Sequence, residues 1–257
     1  MLNERVLDKG VRPFITLNIA ESVDGKIAPI GGGKVNFGGA EDRQQMEILR
    51  AEADGVVIGC GTLLTEDPPL LIRDKSIQAR RVEQKGAPHP RNIAICSSLP
   101  SQLESMLFFR NPETEKIVFT TEKTPAQIRE TAKHFARVEV VSVNENGRVN
   151  LREVVERLHQ IGVQKLLLEG GGELNFSMLQ AGLVDEIYLT VCPFIFGGRT
   201  APGSVGGEGF PFDKVCKLQL VSHRAGQNGR IFLRYTVLDE VPDVSPSPYF
   251  PAGVEIA

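Results

Sequence analysis

Apolar positions along this chain fall into two alternating rhythms. Short apolar runs bounded by glycine, proline or acidic residues predict buried strands at 14–20, 56–58, 93–96, 117–120, 138–143 and 165–169. Between them lie longer stretches in which apolar residues recur every three or four positions. These predict helices at 40–53, 125–135, 151–161 and 173–181. The first helix carries acids at its start and has Met46 and Leu49 on one face. After residue 181 the rhythm changes, and 186–191, 217–222 and 231–238 read as consecutive strands with no helical pattern between them. Strand–helix alternation followed by strands alone predicts an α/β fold: a mostly parallel central sheet flanked by helices, with antiparallel C-terminal edge strands. Two long loops are expected, at 66–92 and at the glycine-rich 197–212.

Composition narrows the class. The 257 residues carry a net charge of −3, with 41% hydrophobic and 24% charged residues. Disorder is thereby excluded, and no global positive field exists to hold nucleic acid or anionic lipid. The area-scaling relations have a chain of this mass bury roughly three-quarters of its unfolded surface, enough for a core without metal or disulfide staples. We expect an N-terminal extension at 1–11, one folded domain at 12–240 and a proline-rich tail at 241–257. The first residues contain acids and no apolar core of a signal peptide, and no apolar run is long enough to cross a bilayer, so a cytoplasmic protein is expected. Cys60, Cys96, Cys192 and Cys216 are widely spaced with no CxxC pair, and read as buried reduced thiols.

Nucleotide-triphosphate, zinc-protease, serine-hydrolase and zinc-deaminase signatures are absent, and the four histidines are scattered, so no metal site is expected. The strongest positive signal is Leu166-Leu167-Leu168-Glu169-Gly170-Gly171-Gly172-Glu173-Leu174-Asn175. A buried strand that ends in three glycines and enters a helix exposes backbone N–H groups to an anion. Glu169 then stands at the carboxyl end of a central strand, where open α/β sheets bind ligands. A second segment, Gly59-Cys60-Gly61-Thr62 with Glu66-Asp67-Pro68, also follows a buried strand. A third, Ser22-Val23-Asp24-Gly25-Lys26-Ile27-Ala28, closes the first strand. Each reads equally well as a turn.

In this order, and together with Leu49-Arg50-Ala51, Leu70-x-x-Arg73, Gly182-Leu183-Val184-Asp185-Glu186, Phe196-Gly197-Gly198 and Glu208-Gly209-Phe210, these segments resemble the riboflavin-biosynthesis pyrimidine reductases. The resemblance runs from about residue 12 to 238 and implies a dihydrofolate-reductase-like fold. The chain looks closest to the stand-alone archaeal and fungal type, which reduces 2,5-diamino-6-ribosylamino-4(3H)-pyrimidinone 5′-phosphate with NADPH. It further implies that Thr62, Glu66, Ser97, Gly171, Gly172, Glu173, Leu174 and Asn175 bind the cofactor. Asp24, Arg50, Leu70, Arg73 and Glu169 would contact the substrate, and Glu169, Asp67 and Lys26 would serve catalysis. The family often has a Trp-Ile pair where this chain reads Lys34-Val35-Asn36-Phe37, which leaves Asn36 or Phe37 to make that cofactor contact.

The implied reaction delivers hydride to the sugar C1′ after ring opening to an imine, helped by a nearby acid. One residue-level feature favours NADP over NAD: the strand at 93–96 runs into Ser97-Ser98, with no carboxylate to repel a 2′-phosphate. The alternatives are reduction of the aminouracil analogue and a nucleotide-binding regulatory protein without turnover. The apolar stretch from 186 to 196 beside the antiparallel edge predicts a homodimer.

Overall fold

The computed structural model describes residues 12–31 and 37–238. The expected extension at 1–11, the tail at 241–257 and Asn36 lie outside the described residues. Strand β1 (Phe14–Ser22) leads through a turn at Asp24-Gly25 to helix α1 (Gly39–Glu52). Then follow β2 (Gly55–Gly59), the short α2 (Cys60–Thr65), α3 (Lys75–Lys85), β3 (Arg91–Ile95), the single turn α4 (Leu107–Arg110) and β4 (Lys116–Thr120). The chain continues through α5 (Ala126–Ala132), β5 (Arg137–Val140), α6 (Leu151–Gln160), β6 (Lys165–Gly170) and α7 (Gly172–Gln180). It closes with β7 (Glu186–Cys192), β8 (Leu218–Ala225) and β9 (Ile231–Val237).

All nine strands form one sheet in the order β5-β4-β3-β2-β6-β1-β7-β9-β8. The pairings from β5 to β7 are parallel, and β9 is antiparallel to both β7 and β8. The expected parallel sheet with an antiparallel C-terminal edge therefore forms. Alternation within β1 divides the core. Ile15, Leu17 and Ile19 pack with Val154, Val155, Leu158 and Met178 of α6 and α7 on one face. Val56, Ile58 and Leu167 point to the other face, against Leu49 of α1. Such two-sided burial of central strands is why they read as continuous apolar runs.

Three elements differ from the sequence expectation. Helix α3 lies inside the stretch read as a 66–92 loop; the Asp74 carboxylate accepts from the N–H groups of Ser76 and Ile77 at its start, and Gly86 closes it at φ +76°. Its mean burial is low, so no apolar stripe announced it. Helices α2 and α4 are too short for a periodic signal. Strand β7 lies between β1 and β9, beside the antiparallel edge as expected, and the outermost strand is β8, all eight residues of which are exposed.

The start of the fold is pinned by one carboxylate. Asp185 accepts two hydrogen bonds from the Arg12 guanidinium, at 2.7 and 2.8 Å, and one from the Ile15 N–H. That ties the beginning of β1 to the turn before β7, its parallel neighbour.

Candidate active site

A cleft of about 540 Å³ opens across the carboxyl ends of β1, β2, β3 and β6. Its centre is the turn from β6 into α7. Gly170 and Gly171 take φ of +64° and +84°, which residues with a Cβ rarely adopt. At Gly171 a Cβ would also stand 2.8 Å from the Thr62 hydroxyl, so the α2 start and the glycine turn touch. Gly172 has a different reason for lacking a side chain. Its Cβ would sit 2.5 Å from the Gly203 carbonyl, because the second glycine-rich loop packs on the start of α7. The third glycine thus also lets that loop pack closely, while its backbone N–H remains at the helix start.

That loop is fastened by polar contacts. The Gly206 N–H donates to the Gly172 carbonyl, the Asn175 side-chain amide to the Ser204 carbonyl, and the Gly207 N–H to Glu173. Glu173 also accepts from Arg148, 3.0 Å away. The Gly207 N–H, and after it Arg148, hold the Glu173 carboxyl below its ordinary value. The first intrahelical bond of α7 runs from the Asn175 N–H to the Gly171 carbonyl. The N–H groups of Gly172, Glu173 and Leu174 therefore have no acceptor within the helix.

Arg50 and Glu169 stand at the other end of the site. Arg50 donates from Nε and Nη2 to the two Glu169 oxygens, at 2.7 and 2.6 Å, and from Nη1 to the Leu71 carbonyl at 2.7 Å. Both side chains are about nine-tenths buried. Farther up α1, burial pushes the Asp42 carboxyl above its ordinary value; Glu169 adds to the rise, while the Thr190 hydroxyl, Arg230 and Arg43 oppose it.

The structure brings Thr62, Glu66, Ser97, Glu169, Gly171, Gly172, Glu173, Leu174 and Asn175 to one cleft wall. Arg50 joins them through Glu169. Arg73 is exposed, with its guanidinium making no ion pair or hydrogen bond among the described residues. Arg73 is absent from the cleft lining, and four more expected residues lie elsewhere. Asp67, expected to serve catalysis, is absent from the cleft lining and uses both oxygens to accept from the N–H groups of Leu107 and Phe108 at the start of α4. Leu70 is 1% exposed in the core beneath α1, so its side chain does not face the cleft. The Asp24 carboxylate accepts from the Ser22 hydroxyl and from the N–H groups of Phe196 and Gly197, and is held low chiefly by Ser22. Lys26 donates to the Ala201 carbonyl, and the neighbouring Ile27 and Ala28 line the cleft instead. Phe37 packs edge-on against Phe194 and Phe196.

Sequence reasoning missed Asn18, Cys60, Asn144 and Arg148, which also line the cleft. Asn18 interrupts an apolar strand and could have been flagged for that; Asn144 and Arg148 carry no local signal. Arg148 is the single Lys or Arg among the described lining residues, against the acids Glu66, Glu169 and Glu173.

A helix start and a glycine turn open on a cleft outside the carboxyl ends of a parallel sheet, the place where open α/β folds take their ligands. The sequence matches the RibD C-terminal domain over residues 13–232, and the chain belongs to that family. It is 31% identical over 225 residues to the 2,5-diamino-6-ribosylamino-4(3H)-pyrimidinone 5′-phosphate reductase of Archaeoglobus fulgidus, covering 88% of this chain and 99% of that one. With the reductase of the same name from Methanothermobacter thermautotrophicus it shares 36% identity over 231 residues, again 88% and 99% of the two chains. Among solved structures, RibD of Acinetobacter baumannii superposes with a TM-score of 0.70 at 22% identity; the match covers 88% of this chain and 58% of that protein. That likeness supports the dihydrofolate-reductase-like fold.

Proposed function

We propose that this chain reduces the ribosyl group of 2,5-diamino-6-ribosylamino-4(3H)-pyrimidinone 5′-phosphate to the ribityl product, using NADPH. The observation that carries the reading is the adjacency, on one strand end, of a glycine turn ready for phosphate and a buried carboxylate fixed by arginine. Two relatives that bear this substrate in their names match this chain over nearly their whole length.

The residues present suit a dinucleotide. A Cβ at Gly61 would meet nothing within 4 Å, so the backbone there is bare to the cleft. Asn175 Oδ1 is buried without a hydrogen-bond partner, an acceptor left over for a ligand donor. Thr62, Gly171, Gly172, Glu173, Leu174 and Asn175 would hold the cofactor, with Glu66 and Ser97 on the same wall. When bound, that cofactor supplies hydride. Glu169, with both oxygens anchored by Arg50, keeps lone pairs for substrate hydroxyl or amino donors. Arg73 offers an unengaged planar guanidinium for the 5′-phosphate.

We assign the working form as a homodimer joined through β8. Leu218, Leu220 and Val221 are 41–50% exposed there, on an edge strand with unpaired backbone groups. No helix among the described residues is long and apolar enough to cross a membrane, which is compatible with a cytoplasmic enzyme.

The deciding experiment follows NADPH absorbance with purified protein and each pyrimidine phosphate in turn. Oxidation with the diamino compound, faster than with the aminouracil analogue, is expected. Preference for the aminouracil would replace the substrate, and no oxidation with either would overturn the assignment.

A further inference from the structure

A thiol of the cleft lining, Cys60, stands beside a buried one, Cys96. Strands β2 and β3 are parallel with Gly59 level with Ile95, so the next residues, Cys60 and Cys96, leave the sheet side by side. Neighbouring strands lie about 4.8 Å apart, within the Cα separation of about 4.4–6.8 Å that a disulfide spans. The Cys60 side chain is turned toward β3: its Sγ lies 3.8 Å from the Ser98 carbonyl, two residues past Cys96.

The two thiols are unlike in access and in charge. Cys60 is half-buried and lines the cleft, whereas Cys96 is 1% exposed. Hydrogen bonding to the Cys96 thiol lowers Cys60 to about 7, while the same contact, with burial, pushes Cys96 well up. This is the asymmetry of an attacking thiolate and a resolving thiol. Cys192 is fully buried in β7, and Cys216 precedes β8; neither lines the cleft.

We propose that Cys60 and Cys96 are a modification site, a thiol pair that hydrogen peroxide or an organic hydroperoxide oxidises to a reversible disulfide beside the cleft. The Cys60 thiolate attacks one peroxide oxygen and the O–O bond breaks. Cys60 becomes a sulfenic acid, and the departing hydroxide or alkoxide takes up the proton that Cys60 released. The Cys96 sulfur then attacks the Cys60 sulfur, the S–O bond breaks, and hydroxide leaves with the Cys96 proton as water. With hydrogen peroxide, two thiols and one peroxide yield one disulfide and two waters. The thiols lose two electrons and the peroxide gains them. A dithiol reductant reverses the bond. The link ties the first residue of α2 to the end of β3, between Thr62 and Ser97 on the cleft wall. It does not depend on which ligand the cleft takes.

The test uses the full chain treated with hydrogen peroxide, alkylated without reductant under denaturing conditions, digested and mapped by mass spectrometry. The expected product joins the Cys60 and Cys96 peptides with the loss of two hydrogens, and dithiothreitol releases them. In Cys96→Ser, oxidation should stop at a Cys60 sulfenic acid that dimedone traps; in Cys60→Ser, Cys96 should remain a thiol. The proposal is overturned if wild-type Cys60 and Cys96 are both alkylated at peroxide levels that oxidise the other cysteines. Links of Cys60 to Cys192 or Cys216, or equal oxidation of Cys96 without Cys60, would overturn it as well. The wild-type map requires no variant to fold.

Discussion

Arg50 and Glu169, 119 residues apart in sequence, meet as a two-point ion pair that also grips the loop carbonyl of Leu71. Breaking a buried pair from one side leaves the other charge unpaired, at a cost of about 3–5 kcal/mol. Arg50→Ala should therefore lower the thermal midpoint as well as kcat/KM. Arg50→Lys should recover only part of both, because an ammonium cannot make the paired contact. Thermal melts alongside steady-state kinetics check this. A stable, fully folded Arg50→Ala that loses only substrate affinity would return Arg50 to a simple substrate contact.

Arg73 should behave in the opposite way. Its side chain is exposed and makes no partner contact among the described residues, so Arg73→Ala should leave stability within about 0.5 kcal/mol of wild type. The substrate KM should rise while NADPH affinity, read by its own fluorescence, stays unchanged. Loss of NADPH affinity instead would move Arg73 to the cofactor side.

Gly171→Ala places a side chain at φ +84° and 2.8 Å from the Thr62 hydroxyl. Strain of this kind costs about 1 kcal/mol or more. The NADPH dissociation constant should rise about tenfold, equivalent to about 1.4 kcal/mol, with substrate KM less affected. Fluorescence titration of the variant measures it directly, and an unchanged dissociation constant would remove the glycine turn from the cofactor site.

Asp42 should set a pH dependence of stability. Burial raises its carboxyl above the ordinary value, so between the unfolded and folded values the folded chain holds more protons. Stability must then fall as pH rises through that window. Asp42→Asn removes the penalty: its melting temperature should exceed that of wild type at neutral pH, with the gain vanishing well below pH of about 3.9. Melts across that range give the sign, and a lower midpoint for the variant at neutral pH would contradict it.

The β8 edge is open to a separate check. Leu220→Glu with Val221→Glu puts two charges on residues 48% and 50% exposed, so the monomer fold should tolerate them. Sedimentation velocity at micromolar concentration should show a dimer for the wild-type chain and a monomer for the variant. A wild-type monomer would end the dimer assignment.

The sequence by itself determined the order and type of the main elements and the place of the glycine turn. Strands β2 and β6 are buried on both faces and β1 on one, so their apolar residues stand out, and the amphipathic period of α1 and α6 is written in consecutive residues. The positive φ at Gly170 and Gly171 likewise needs residues without a Cβ, and that need is local. Helix α3 was legible only through Asp74 and Gly86 at its ends, because its few buried residues form no stripe.

Only the tertiary structure decided which polar groups face the cleft. Asp24 and Asp67 sit in segments that look chemical, yet their oxygens satisfy backbone N–H groups of Phe196, Gly197, Leu107 and Phe108. Those donors lie 40 to 173 residues away along the chain. The meeting of Arg50 with Glu169, and of Cys60 with Cys96, depends in the same way on the strand order β3-β2-β6. A carboxylate or thiol carries no local mark of its partner: its role follows from whichever donor or acceptor the sheet brings within hydrogen-bonding reach.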